Sequence, residues 1–503
     1  MNKQINIFFI IILFLSVIYT MRGFLDEQLR IIITIIYSIA IALVIFVIFM
    51  EKRNPTRTLT WVIVLVAFPG VGFIFYLIFG HAYRHQRSYT RKASEDEQAF
   101  ESVTRHRSLM QANGQHLMPG REKFFHLALK LGSPISFNTE TKVLADGRET
   151  FAHMLYALEQ AEHHIHIEFY TIRHDDIGNQ FKQILLKKAR DGVEVRVLYD
   201  AVGSWQLPKA YKNELRQAGV DIKAFAPVRI PLLNHRVNYR NHRKIVVIDG
   251  QIGFTGGLNI GDEYVGKGKL FRHWRDSHLY MKGEAVRDLQ LTFLRDWSFM
   301  TGETKMDPVY LSPEHRNSKI DEGGVQVIAG GPDQQWEVIK KLFFKMITNA
   351  KKSIWIASPY FIPDDDILSA LKIAALSGID VRLLMPSKPD KRVVFHASRS
   401  YYPELVDAGV VIYAYDHGFM HSKFMIVDQE IASLGSANMD MRSFHLNFEV
   451  NVFLYETSSV SRLVSDYVLD MEHSSVISAE ALKKRPFRSR MMESFSRLLS
   501  PLL

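Results

Sequence analysis

Two short stretches of the chain carry residue types that can do chemistry. Asn241-His242-Arg243-Lys244-Ile245-Val246-Val247-Ile248-Asp249 reads His-x-Lys, four apolar residues, then Asp. The arrangement returns at His421-Ser422-Lys423-Phe424-Met425-Ile426-Val427-Asp428. An Asn lies seventeen positions after each His, at Asn259 and Asn438. Imidazole titrates near neutral pH, so it can attack as a nucleophile or carry a proton. Lys244 and Lys423 can neutralise a developing anion, and Asn259 and Asn438 can donate amide protons to it. A single His-x-Lys before a strand arises by chance in many proteins. Two copies with the same trailing Asp and Asn predict one active site assembled from two half-sites.

The elements that must position these residues read as β-strands. Ile245–Ile248 and Phe424–Val427 are unbroken apolar runs, as in strands buried on both faces, and such strands hold the neighbouring His and Lys on rigid backbone. Each run leads to a Gly-containing turn, Thr255-Gly256-Gly257 and Leu434-Gly435-Ser436. Asp249 and Asp428 complete the signature, and their place after the strand predicts that they brace the turn. The repeat extends beyond the motifs. Val143–Gly147 parallels Val327–Gly331, Ile165–Glu168 parallels Ile354–Ala357, Gly192–Leu198 parallels Gly378–Leu384, and Ala218–Ile222 parallels Ala408–Ile412. A helix-length segment separates the second and third strands of each half, as in a βαβ crossover. The first half has an eleven-residue excess around Pro227–Tyr239, just before its motif, which either borders a substrate entrance or forms a surface loop.

The paired motifs resemble the HxKxxxxD signatures of the phospholipase D superfamily. With its apolar N-terminus, the chain resembles bacterial cardiolipin synthases over nearly its whole length, most specifically at Asn54-Pro55-Thr56-Arg57-Thr58-Leu59-Thr60-Trp61. The resemblance implies an α/β fold of two phospholipase D-like α/β/α lobes forming one pseudo-twofold catalytic unit, preceded by N-terminal transmembrane helices. It implies phosphatidyl transfer between two phosphatidylglycerol molecules, giving cardiolipin and glycerol through a phosphohistidine, with no metal or cofactor. Attack on a phosphodiester raises the charge on its equatorial oxygens, which the two lysines and two asparagines would meet. The family's order makes His242 the nucleophile and His421 the general acid and base; the sequence itself does not distinguish them. A carboxylate should orient each imidazole. Glu449 matches in the second half, and Asp276, displaced by six extra residues, is its counterpart in the first. Gly257 and Ser436 are matched positions, fifteen after each His, and Ser436 can add a hydroxyl to the phosphate. A hydrolytic phospholipase D or a headgroup exchanger would carry the same motifs. A nuclease of the superfamily is disfavoured by the membrane-directed N-terminus, and a non-catalytic lipid-binding scaffold by two intact His-Lys-Asn sets.

Composition sets outer limits. The chain has 503 residues, enough for several domains, and no Cys, which excludes disulfides, thiolate metal sites and a Cys nucleophile. A formal charge of +9 favours an anionic partner, nucleic acid or an anionic lipid surface, and charge alone does not choose between them; the resemblance implies an anionic membrane surface and no nucleic acid. Nothing in the sequence fixes an oligomeric state. Residues 1–85 read as a membrane region, with spans at about 5–20 and 31–50 and an apolar hairpin at 59–80 broken by Pro69-Gly70. The first run reads as an uncleaved span rather than a signal peptide. Basic residues flank the hairpin on both sides, which predicts a multi-pass cell-membrane protein with cytoplasmic catalytic lobes; three full spans would place them outside. Residues 86–132 read as a polar connector, 133–320 and 321–480 as the two lobes, and 481–503 as a basic amphipathic tail. That tail lies either on an anionic bilayer or on the protein's own core.

Overall fold

A computed structural model describes residues 26–50, 55–68, 133–227, 238–303, 307–311, 323–334 and 337–503, with positions 72, 76, 124, 127, 128, 130 and 131. The chain divides into an N-terminal unit and a larger unit formed by Thr90–Pro227 and Tyr239–Leu503.

In the N-terminal unit, helix Glu27–Met50 opens where the Asp26 carboxylate accepts the Leu29 N–H. Its two mid-helix hydroxyls are satisfied internally: Thr34 donates to the Arg30 carbonyl and Ser38 to that of Thr34. Among the described residues, Glu27–Phe46 is the one segment long and apolar enough to cross a membrane. Pro55–Ala67 follows as a shorter helix packed against it. The expected span at 5–20 lies outside the described residues, as does most of the hairpin after Phe68. Among the described residues, one candidate span and a short apolar helix fall within the expected membrane region.

The larger unit contains two eight-stranded mixed sheets of matching order. The first comprises β1 (Thr139–Asp146), β2 (His164–Phe169), β3 (Glu194–Asp200), β4 (Asp221–Phe225), β5 (Ile245–Ile248), β6 (Ile252–Gly256) and β7 (Trp274–Gly283). Its order is β1-β7-β6-β5-β2-β3-β4. The second lobe begins with β8 (Gly324–Gly330), β9 (Ser353–Ala357), β10 (Phe361–Ile362), β11 (Asp380–Pro386), β12 (Val411–Tyr415), β13 (Phe419–Met420) and β14 (Phe424–Val427). It continues with β15 (Ile431–Gly435), β16 (Met439–Asp440), β17 (Glu449–Tyr455) and β18 (Ser474–Val476). Its main sheet runs β8-β17-β15-β14-β9-β11-β12-β18, while β10 and β16 form a small parallel pair. The eighth strand of the first sheet is β13, contributed by the second lobe and paired with β7.

Alternation of strand and helix produces the parallel runs. Helix Asp176–Arg190 crosses from β2 to parallel β3, and helix Asp365–Leu376 crosses from β9 to β11. The motif strands β5 and β14 lie inside their sheets, each between a hairpin partner and the first parallel strand, and all four residues of each are buried. Each sheet has a separate apolar core beneath its outer helices. The helices Ala285–Thr301 and Ser458–Glu472 pack against strands of both lobes. Phe124 and Ala128 are buried in the core of the second lobe, and Ser136 bridges to Val325 of β8. The end of the expected connector is thus part of that core, because its apolar residues recur at helical spacing. The excess segment at Pro227–Tyr239 falls mostly outside the described residues.

Asp249 and Asp428 stand at the far ends of the motif strands from the lysines. Both have left-handed backbone, φ 53° and 55°. The Asp249 carboxylate accepts the N–H groups of Glu162, His163 and His164 at 2.8–2.9 Å, capping the start of β2. Asp428 does the same for Lys351, Lys352 and Ser353 at the start of β9. They fix the register of the motif strand against its neighbour. Asp249→Ala or Asp428→Ala should leave three N–H groups without their acceptor and lower stability by about 2 kcal/mol. The check is denaturant unfolding of purified protein, with the folded fraction keeping near-normal turnover; loss of turnover without loss of stability would contradict the bracing role.

Candidate active site

Each motif is stitched to the opposite lobe by main-chain hydrogen bonds. The His242 N–H donates to the Phe448 carbonyl at 2.9 Å, and the Phe448 N–H to that of Arg240 at 2.9 Å. In the other half, β13 pairs in parallel with β7, and the His421 N–H donates to the Arg275 carbonyl at 2.7 Å. Each contact brings a histidine next to the first residues of a strand in the other lobe. Glu449 opens β17, and Asp276 is the third residue of β7.

The consequence is an exchange. His242 Nδ1 meets Glu449 at 3.0 Å, and His421 Nδ1 meets Asp276 at 2.6 Å. The sequence placed one carboxylate in each half without saying which histidine it orients; the structure sets each against the histidine of the other half. Sequence order could not show this, because the pairing is made by strand contacts between lobes. Both imidazoles are mostly buried, both carboxylates wholly so. With Nδ1–H donated to a carboxylate, each ring is held as the tautomer whose Nε2 carries the lone pair.

Lys244 and Lys423 are buried and each donates to the main-chain carbonyl of its own histidine at 2.6 Å. Lys423 also lies 3.0 Å from His421 Nδ1. Burial lowers the pKa of His242, which Glu449 opposes and Lys244 reinforces, leaving it at about 4. His421 is also brought to about 4, by burial and Lys423 against the pull of Asp276. Burial lowers Lys244 to about 7 and Lys423 to about 8. Burial would raise both carboxyls, but the facing cations hold Asp276 and Glu449 below their ordinary range. At neutral pH the site therefore holds two neutral imidazoles between the carboxylates and two lysines, with Lys423 mainly an ammonium and Lys244 near the midpoint of its titration. Such a centre can receive an anion, attack it and exchange protons with it.

The remaining expected residues take different places. Asn259 accepts the Thr171 N–H through Oδ1 and donates to the Tyr264 hydroxyl, while Asn438 donates to Asp440. Each amide nitrogen carries a second proton beyond these bonds. Ser436, expected to reach phosphate, instead donates its hydroxyl to Glu449 and accepts the Val450 N–H. At the matched Gly257, a Cβ would overlap the Asp276 carboxylate. The two halves thus solve one problem in two ways: a serine supports the longer Glu449, and an absent side chain admits the shorter Asp276. Asp249 and Asp428 cap the starts of β2 and β9, at the far ends of the motif strands from Lys244 and Lys423.

Several neighbours had no signal of their own in the sequence. Tyr170 stands edge-on to His242 with ring centroids 5.1 Å apart, and Trp274 lies 5.0 Å from His421. Asn447 donates to Glu449 at 3.1 Å. Arg243, the variable residue of the first motif, ion-pairs with Asp296 and donates to the Glu449 and Gly330 carbonyls. Arg275 pairs with Asp470 at 2.8 Å. Arg243 and Trp274 sit inside or beside residues the sequence did single out; Tyr170 had only its position at the end of β2.

Comparison with known proteins follows this geometry. The sequence matches the family described as "Cardiolipin synthase, PLD-like domain" at residues 154–297 and 343–470, and "Phospholipase_D-nuclease N-terminal" at 38–81. It is 60% identical to a protein named cardiolipin synthase from Alkalihalophilus pseudofirmus, covering 100% of both chains. It is 57% identical to one of the same name from Halalkalibacterium halodurans, again over 100% of both. The crystal structure of a phosphatidylserine synthase from Haemophilus influenzae shares the fold, with a TM-score of 0.59 at 14% identity, covering 76% of this chain and 100% of that one.

The crossed pairing has a direct test. Gly257→Ala and Asp276→Asn should each remove the low-field Nδ1 proton resonance of His421, leave that of His242, and lower turnover about 100-fold. Loss of the His242 resonance instead would contradict the exchange.

Proposed function

The chain belongs to the cardiolipin synthase family of the phospholipase D superfamily, and from that premise we propose that it moves a phosphatidyl group from one phosphatidylglycerol to another, releasing glycerol. The observation that carries the reading is the pair of imidazoles, each held by a carboxylate of the opposite lobe, with two buried lysines beside them.

His242 Nε2 attacks the phosphorus of the first phosphatidylglycerol. The bond to the glycerol headgroup breaks, and the departing alkoxide takes a proton from His421. A glycerol hydroxyl of the second phosphatidylglycerol then gives its proton to His421 and attacks the phosphohistidine. The P–N bond breaks, His242 is restored and cardiolipin leaves. Lys244, Lys423 and the free amide protons of Asn259 and Asn438 meet the charge on the phosphoryl oxygens. His421 acquires its proton as the substrate enters, because a phosphate anion a few ångströms away favours the imidazolium. No step calls for a metal. The apolar helix Glu27–Phe46, long enough to cross a membrane, supports a site at the membrane where both lipids reside; further spans, with the lobes on the cytoplasmic side, complete the reading.

Acid quenching during turnover of labelled phosphatidylglycerol should yield no stable adduct, while alkaline quenching should retain label on the peptide containing His242. His242→Ala and His421→Ala should both lose turnover by about 1,000-fold or more. Label on the peptide of His421 would reverse the assignment, and phosphatidic acid as the main product would replace transfer with hydrolysis.

The lysines set the pH response. Each ammonium is present below its pKa and lost above it, so kcat/KM should fall as pH rises through about 7 to 8. His242 is already neutral above about 4, so no acid limb should appear near pH 6, while the proton that His421 takes up with the substrate adds its own fall of kcat/KM with rising pH. A profile flat to pH 9 would contradict the assignment of Lys244 and Lys423 as the phosphate's counter-charges.

A further inference from the structure

The C-terminal helix Phe487–Leu498 is mounted with its polar side inward. Its buried residues are Glu493 and Ser496. Glu493 ion-pairs with Arg485, lies 3.7 Å from Arg399 and accepts from the Ser489 hydroxyl at 3.2 Å. Arg497 pairs with Glu404 at 2.8 Å and lies over the Tyr401 ring at 4.3 Å. The Tyr401 hydroxyl meets that of Ser500 at 3.2 Å, and Leu482, just before the helix, is buried in the core of the second lobe. The helix is thus held by polar bonds, which fix its rotation.

That rotation turns the apolar residues outward. Phe487, Met491, Phe495 and Leu498 recur at helical spacing and are 68%, 56%, 61% and 73% exposed. With about 100° per residue they share one arc, opposite the arc of Ser489, Glu493 and Ser496. Arg488 and Arg490 on the helix and Lys483 and Lys484 just before it are exposed as well, whereas the helix's single acidic residue is the buried Glu493. An outward face of bulky apolar side chains edged by cations matches the boundary between headgroups and acyl chains of an anionic bilayer.

The position of the helix suits this occupant. It packs on helix Arg392–Arg399, which begins two residues after Asp390, whose charge acts on His421. The last turn, Ser500–Leu502, packs on helix Met441–His445, whose capping Asp440 bonds Asn438. A bilayer touching the helix would therefore lie beside the elements that frame the second half-site. We infer that Phe487–Leu498 docks the larger unit on an anionic lipid surface and brings the site to its substrate, independently of the N-terminal span.

The absence of cysteine from the chain makes the test clean. Single variants Met491→Cys and, as a reference on the first lobe, Gln217→Cys are labelled with an environment-sensitive fluorophore. The full-length proteins are then reconstituted in phosphatidylglycerol-containing vesicles carrying nitroxide lipids. Quenching at 491 should exceed that at 217 by about threefold or more. Equal quenching at both overturns the inference, as does an unquenched label at 491 together with disulfide cross-linking of the unlabelled Met491→Cys protein to a second copy on oxidation. A second arm uses the triple variant Phe487→Ser, Met491→Ser, Phe495→Ser. It should turn over phosphatidylglycerol about tenfold more slowly in vesicles, yet match wild type in detergent micelles. Equal loss in both media overturns lipid docking. The activity arm rests on the proposed transfer reaction; the quenching arm does not, so failure of one reading is distinguishable from failure of the other.

Discussion

The site depends on two strand contacts that cross between lobes. His242 is bonded through its main chain to Phe448, and His421 to Arg275, so each imidazole comes to rest against the carboxylate that follows on the partner strand. Neither half contains a complete unit of nucleophile or acid with its orienting group. The lobes must dock before either histidine has a defined tautomer. Buried ion pairs such as Arg275 with Asp470 would be costly to separate, and they hold the same junction.

Charge balance follows from that docking. Two buried ammonium groups face two buried carboxylates, and the imidazoles between them are neutral because burial and the nearby lysines oppose a further positive charge. Below the lysine pKa values of about 7 and 8 the set sums to zero. A phosphodiester adds one negative charge, and a proton taken up by an imidazole restores the balance. Substrate entry and arming of the acid are therefore one electrostatic event. Such a site favours an anion whose charge is matched by a proton that the imidazole takes up from solvent. The pseudo-twofold arrangement supplies this symmetry of charge, while the unequal pairs Gly257 with Asp276 and Ser436 with Glu449 show that the halves reach it with different side chains.

The catalytic unit also separates packing from chemistry. Each sheet has a dry core on its outer side, whereas the junction between lobes carries the buried polar groups. The C-terminal helix reverses this rule, with polar bonds inward and large apolar side chains exposed. A reversed helix costs stability in water unless another apolar phase receives its outer face.

Much of this was legible in the sequence. Four apolar residues between Lys and Asp read as a strand buried on both faces, and the repeat of that pattern pointed to two similar α/β lobes. His242, Lys244, His421 and Lys423 were visible because their chemistry is tied to local spacing. Asp249 and Asp428 were legible as turn braces for the same reason. What spacing could not give was anything set by contacts distant in the chain: the crossing of Asp276 and Glu449, the hydroxyl of Ser436 turned to a carboxylate, the walls formed by Tyr170 and Trp274, and the core role of Phe124 and Ala128. The amphipathic pattern of the tail was also plain from sequence, but a pattern says only that two faces differ. Which face turned inward was decided by Glu493 finding Arg485 and Arg399, partners that only the tertiary fold brings within reach.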